Sequence, residues 1–144
     1  MLKNISPLIS PELLKIMAAM GHGDTLVLGD CNYPADSTGK RCVRADGIGA
    51  VALLDAVMEL LPLDINEDTE PVVLMSPSDA GSKEPDIWTD FKSAVLRHEP
   101  EAAFSFADRF KFYDLAKNAY ATVQTGEQRF YGCIILRKGT MFTK

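Results

Sequence analysis

Met20-Gly21-His22-Gly23-Asp24-Thr25-Leu26-Val27-Leu28-Gly29-Asp30 is the stretch on which the fold turns. Its first residues end a helix, its middle is a glycine turn, and its last residues form a strand. Gly21 and Gly23 flank His22, and glycine accepts backbone conformations and close approaches that a Cβ would forbid, so the imidazole can project from a tight turn. Thr25 to Leu28 is a short apolar run with β-branched content, which predicts a buried strand, and Asp30 falls at its carboxyl end behind Gly29. In open α/β sheets that end is where ligands sit. The two groups differ usefully: an imidazole titrates near pH 7 and a carboxylate stays anionic there.

Working outward, Ser10-Pro11-Glu12 has the marks of a helix start: a capping hydroxyl, a proline at the first helical position and an acid in the first turn. Leu13, Leu14, Met17 and Met20 form its buried stripe. Cys31 to Gly39 is rich in turn residues and forms a rim beside Asp30. Lys40 to Arg44 predicts a second strand. Asp46 is placed to cap a helix through about Leu61, stopped by Pro62. After an acidic connection, Val72-Val73-Leu74-Met75 reads as a strand covered on both faces. Pro85-Asp86 opens a helix to about His98. Ala102 to Phe106 is a fourth strand candidate, Asp108 a cap for a helix carrying Phe110, Phe112, Tyr113 and Leu115, Tyr120 to Gln124 a fifth strand and Tyr131 to Arg137 a sixth. Strands alternating with helices predict a layered α/β domain.

The 144 residues, 47% of them hydrophobic, are enough for one domain with a real core, and the whole of 1–144 is expected to form it. The formal charge of −5, with lysines and arginines scattered, argues against nucleic acid as a partner. No run approaches the roughly 18 apolar residues of a membrane helix, and the amino terminus lacks a secretory core, so a cytoplasmic location is expected. Cys31, Cys42 and Cys133 are odd in number and share no metal-binding or disulfide spacing.

Each candidate residue has a plain structural reading beside the chemical one. His22 serves equally as a charge complementing a helix end or as an acid/base; its flanking glycines favour the second. Asp30 can be a solvated strand end or a ligand contact. Arg109, in the first turn of a helix where a cation is slightly disfavoured, either anchors something or makes a surface ion pair. The Tyr131 hydroxyl meets a ligand or backbone. His98 closes a charged helix end and has no partner motif. Two histidines leave no multi-histidine metal site, and no dinucleotide fingerprint, phosphate loop or nucleophile elbow is present.

Taken together, Leu8-Ile9-Ser10-Pro11-Glu12-Leu13-Leu14, Met20 to Asp24, Asp30 with Pro34-Ala35, Arg44-Ala45-Asp46-Gly47, Arg109-Phe110 with Phe112-Tyr113, and Thr125-Gly126-Glu127 leading to Tyr131-Gly132 and Lys138-Gly139 make the chain resemble the L-fucose mutarotase and D-ribose pyranase family, the fucose branch more than the other. The resemblance runs nearly end to end. It implies a three-layer α/β/α sandwich with a mixed sheet of about six strands. It also implies a homo-oligomeric ring, commonly a decamer, with sites between neighbouring subunits. The expected chemistry is cofactor-free and metal-free interconversion of the anomers of L-fucose. His22 corresponds to the acid/base, Asp30 and Arg109 bind substrate, and Tyr131, Gly132 and Cys133 line the sugar; Asp30 is also a candidate proton-transfer partner. D-ribose ring interconversion and non-catalytic sugar binding are the alternatives. The chain departs from the family's usual pattern at Cys133, where asparagine is usual, and at Asn32-Tyr33, where histidine and phenylalanine are.

Overall fold

The computed structural model describes residues 1–142. Its first helix, α1 (Pro11–Ala19), starts as its sequence requires: the Ser10 hydroxyl accepts a hydrogen bond from the Leu13 amide at 3.1 Å, with Pro11 where an amide would go unpaired. Leu13, Ile16 and Met17 bury one face. There follow β1 (Thr25–Gly29), a short α2 (Ala35–Thr38), β2 (Cys42–Ala45), α3 (Ala50–Met58), β3 (Val72–Ser76), α4 (Ile87–His98), β4 (Phe104–Asp108), α5 (Arg109–Ala116), β5 (Ala121–Thr125) and β6 (Ile134–Arg137).

The six strands form one sheet in the order β2-β5-β1-β6-β3-β4. β2, β5 and β1 are mutually parallel, as are β3 and β4; β6 lies between β1 and β3 and is antiparallel to both. The mixed α/β/α sandwich expected from the sequence is therefore present. Side chains on a strand point alternately to its two faces, and the core follows that rule. Leu26, Leu28, Val72, Leu74, Ile134 and Leu136 pack with α1, α3 and α4 on one face. Val27, Val73, Met75, Ile135 and Cys133 pack with Phe112 and Ala116 of α5 on the other. β1, β3 and β6 are covered on both sides, which is why they read as unbroken apolar runs.

Four local expectations need correction. Asp46 does not cap α3. Its carboxylate takes two hydrogen bonds from Arg44, at 2.6 and 3.0 Å, and Gly49 holds the cap position without a side chain. The acid that serves this helix comes from afar: burial pushes the Glu127 carboxyl up, but hydrogen bonds from Arg129 and from the Ala50 amide at the start of α3 outweigh it and hold the group below the usual glutamate range. Second, α3 ends at Met58, short of Leu61, through turn hydrogen bonds from the Leu60 and Leu61 amides to Val57. Third, the rim after Asp30 contains α2, where only a loop was expected. Fourth, β6 begins at Ile134 and not Tyr131, because Tyr131 has a φ of +59°, in the left-handed region that ends an extended strand.

Candidate functional site

The sheet delivers polar groups to its two ends, and the candidate residues divide between them. At the end where β1 begins, His22 sits on the turn after α1. That turn is held by backbone and neighbours: the Gly23 amide donates to Lys138 O at 2.8 Å, the Gly21 amide to the Asp24 carboxylate at 2.8 Å, and Arg137 Nη1 to Gly23 O at 3.1 Å. Lys138 Nζ donates to Met17 O and Met20 O, neutralising the exposed carbonyls of α1's last turn. The imidazole makes none of these bonds. Its side chain is 55% exposed, and Nε2 lies 3.4 Å from Oδ2 of Asp64, which is itself only 5% exposed. Asp64 is fixed by a hydrogen bond from Asn66 and by its own amide donating to Arg137 O.

The carboxylate beside His22 thus belongs to Asp64, not Asp30. An extended strand rises about 3.3 Å per residue, so β1 alone puts roughly 13 Å between the His22 turn and Asp30. The sequence proximity that suggested a pair is spatial separation within one chain. Asp64 was missed because it lies in an acidic connection with no local motif; it is brought to His22 only by the bridge between Leu63 and Lys138.

At the other end, the carboxyl ends of β1, β3, β4 and β5 meet the start of β6. Asp30 is half-buried there and held on every side. Oδ1 accepts from the Asn32 amide at 2.9 Å, the backbone oxygen accepts from the Gln124 side-chain amide, and the Cys133 thiol lies 3.5 Å from both the Asp30 amide and Oδ2. Cys133 is 1% exposed. Burial, with the Asp30 carboxylate beside it, pushes that thiol well above its ordinary range, so it keeps its proton and donates it.

Tyr131 and Gly132 precede Cys133 on a turn pinned by Glu127, which accepts from the Arg129 amide at 3.1 Å and from Arg129 Nε at 3.0 Å, while Arg129 Nη1 donates to Asp90 at 2.7 Å. A Cβ at Gly132 would come within 2.7 Å of Glu127 Cγ, so only glycine fits there. The positive φ of Tyr131 is a conformation that costs of order 1–3 kcal/mol and is retained mostly where a side chain must be aimed. A cleft of about 470 Å³ opens beside it, lined by Arg129, Phe130 and Tyr131 among others.

Arg109 is exposed at the start of α5, three strands from Asp30 in sheet order, with no carboxylate partner among the described residues. Its guanidinium lies 5.5 Å from the ring centres of Phe110 and Tyr113. Tyr113 in turn packs edge-on against Tyr33, with centroids 5.5 Å apart, and Tyr33 lies directly against Gly29. An aromatic chain therefore links Arg109 to the backbone that carries Asp30. A Cβ at Gly29 would meet the Tyr33 ring at 2.5 Å. Gly29→Ala is expected to lower stability by about 1–3 kcal/mol, the usual cost of overpacking, with a matching fall in the thermal unfolding midpoint.

Asp30, Arg109, Tyr131, Gly132 and Cys133 thus share one end of the sheet, and His22 lies at the opposite end. Among the described residues no group of three histidine, cysteine or acidic side chains is arranged to hold a metal ion, and no helix is long and apolar enough to cross a membrane.

The RbsD / FucU transport protein family model matches residues 3–141. The chain is 45% identical to the fucose mutarotase of Homo sapiens, over 97% of this chain and 94% of that protein. It superposes with a TM-score of 0.89 on the fucose mutarotase of Streptococcus pneumoniae, crystallised in complex with L-fucose, at 38% identity over 98% of this chain and all of the other. Bacillus subtilis RbsD complexed with D-ribose shares the fold, with a TM-score of 0.73 at 23% identity over 99% of this chain and all of that one.

Proposed function

The chain belongs to the RbsD / FucU transport protein family, as its sequence suggested, and from that premise we propose that it is an isomerase interconverting the α and β anomers of L-fucose, all of 1–144 forming the catalytic domain. The observation that carries this reading is the near-complete match, at 45% identity, to a fucose mutarotase. The reaction opens and recloses a hemiacetal. A base takes the proton of the anomeric hydroxyl, an acid delivers one to the ring oxygen, the bond between C1 and C2 rotates, and the steps reverse. No electrons are transferred and every proton is returned, so the chemistry calls for no cofactor.

An imidazole can both take and give a proton, which suits His22, with Asp64 beside its ring to orient it. Asp30 accepts hydrogen bonds from sugar hydroxyls or exchanges the complementary proton. Arg109 remains charged and offers its donors to neighbouring hydroxyls and to a developing alkoxide. Tyr131, Gly132 and Cys133 line the sugar.

A site using both His22 and Asp30 has to be built from two copies, since β1 holds them apart within one. The protein is accordingly a homo-oligomer, in our reading a decameric ring, with the His22 turn of one subunit set over the Asp30 end of the next. Phe110 and Phe130, 70% and 88% exposed beside that end, are large apolar surfaces of the kind buried at such contacts. The unpaired cysteines fit a reducing, cytoplasmic compartment.

Saturation-transfer NMR on L-fucose tests the proposal: the protein is expected to accelerate anomeric exchange. Binding without acceleration would leave a sugar-binding module, and acceleration only of the pyranose to furanose exchange of D-ribose would make it a pyranase.

A further inference from the structure

The backbone and the carboxylate of Asp30 are held by different neighbours. On the β5 side, the Gln124 side-chain amide donates to Asp30 O, and the Thr125 hydroxyl donates to Gly29 O at 2.7 Å. The main chain at this point is therefore anchored from β5, independently of any side chain near β6.

The carboxylate depends on other contacts. Among the described residues no cation pairs with it. Oδ1 takes the Asn32 amide at 2.9 Å, and the protein partner of Oδ2 is the Cys133 thiol at 3.5 Å. The same sulfur lies 3.5 Å from the Asp30 amide. Chemistry fixes the roles: an ionised carboxylate only accepts and an amide N–H only donates, so the sulfur donates to Oδ2 and accepts from the amide. Burial beside the carboxylate keeps the proton on sulfur.

Packing alone does not call for cysteine here. The residue is 1% exposed among Val27, Val73, Met75 and Ile135, where an aliphatic side chain would fill the space as well. What the thiol adds is a donor, and it lies too deep to offer that donor to a ligand. A carboxylate has about four lone-pair positions, so one protein bond to each oxygen leaves the others for hydroxyl groups.

We propose that Cys133 is a positioning residue whose S–H, donated to Oδ2, sets the rotation of the Asp30 carboxylate so that its free lone pairs face the sugar. The inference rests on the reading of Asp30 as a sugar contact and deepens it: the Cys133 side chain serves the sugar through Asp30. No proton leaves the sulfur.

The test compares wild type, Cys133→Ala, Cys133→Ser, Asp30→Ala and the Asp30→Ala/Cys133→Ala double variant in thermal unfolding, L-fucose binding and anomeric exchange. Both Cys133 variants remove a buried sulfur, and each should lower the unfolding midpoint by about 2–4 °C. Affinity should separate them. Cys133→Ala is expected to bind L-fucose roughly 3- to 10-fold more weakly, the worth of one hydrogen bond, with the loss on KM and kcat nearly unchanged. Cys133→Ser, which keeps a donor for Oδ2, should recover most of that loss. With Asp30 already alanine, the second substitution should weaken binding no further, since its effect runs through the missing carboxylate. The infrared S–H stretching band that Cys133→Ala removes should shift in Asp30→Ala, where the thiol has lost its acceptor. Wild-type affinity in Cys133→Ala, an equal loss in Cys133→Ser, an equal loss with and without Asp30, or a band unmoved by Asp30→Ala would each overturn the proposal. If wild type itself neither binds nor exchanges L-fucose, the functional reading falls and this inference with it; if wild type does both and Cys133→Ala matches it, this inference alone falls.

Discussion

Replacing His22 with alanine is expected to slow L-fucose anomeric exchange by about 10²- to 10⁴-fold, the contribution of a well-placed general acid/base. The fold should survive intact. More than half of the imidazole is exposed, and the turn beneath it is held by the bonds of Gly21, Gly23, Arg137 and Lys138, none of which involves the ring. Asp64 loses one neighbour and keeps Asn66. Stability should therefore change by about 0.5 kcal/mol or less, as for most surface substitutions. The two readouts are exchange NMR and thermal unfolding, measured on the same preparation. A variant that folds like wild type and still exchanges at the wild-type rate would move the acid/base role to another residue.

The second large effect concerns where a complete site is assembled. His22→Ala and Asp30→Ala chains should each be nearly inactive alone, yet chains of the two kinds assembled together in equal amounts should recover about a quarter of the wild-type rate. In the ring proposed above, each site takes its imidazole from one subunit and its carboxylate from the next, so with random assembly one junction in about four has both intact. Sites contained within single chains predict no recovery, because every chain then lacks one group. The length of β1, which separates the two groups within one chain, is the reason the first outcome is expected. Sedimentation of the mixture gives the accompanying check, since a stable monomer would remove the junctions altogether.

The elements most legible in the sequence are those specified by neighbours along the chain. Ser10-Pro11 and Asp108 cap their helices as their residue types require, Asp108 accepting from the Lys111 amide at 3.0 Å. Val72 to Met75 is a doubly covered strand because hydrophobicity alone dictates it. Asp30, Arg109 and Tyr131 to Cys133 come to one end of the sheet because β1 and β4 run towards it and β6 starts from it. What sequence reading missed depends on contacts between distant segments. Asp46 has the right residue type for a cap, but Arg44 claims it and Glu127 faces the helix start instead. Asp64 reaches His22 through a single bridge between remote segments. The eight positions from His22 to Asp30 look close along the chain, but most of them lie in an extended strand, which spans about 3.3 Å per residue against 1.5 Å in a helix.

The antiparallel insertion of β6 between β1 and β3 also bears on biosynthesis. Until residues 134–137 are in place, β2, β5 and β1 on one side and β3 and β4 on the other have no strand pairing between them, and each presents a bare, strongly apolar strand margin. Such margins are templates for pairing with the wrong chain. The nascent polypeptide is thus most prone to aggregate just before translation reaches its last strand, and chaperone protection matters most in that interval.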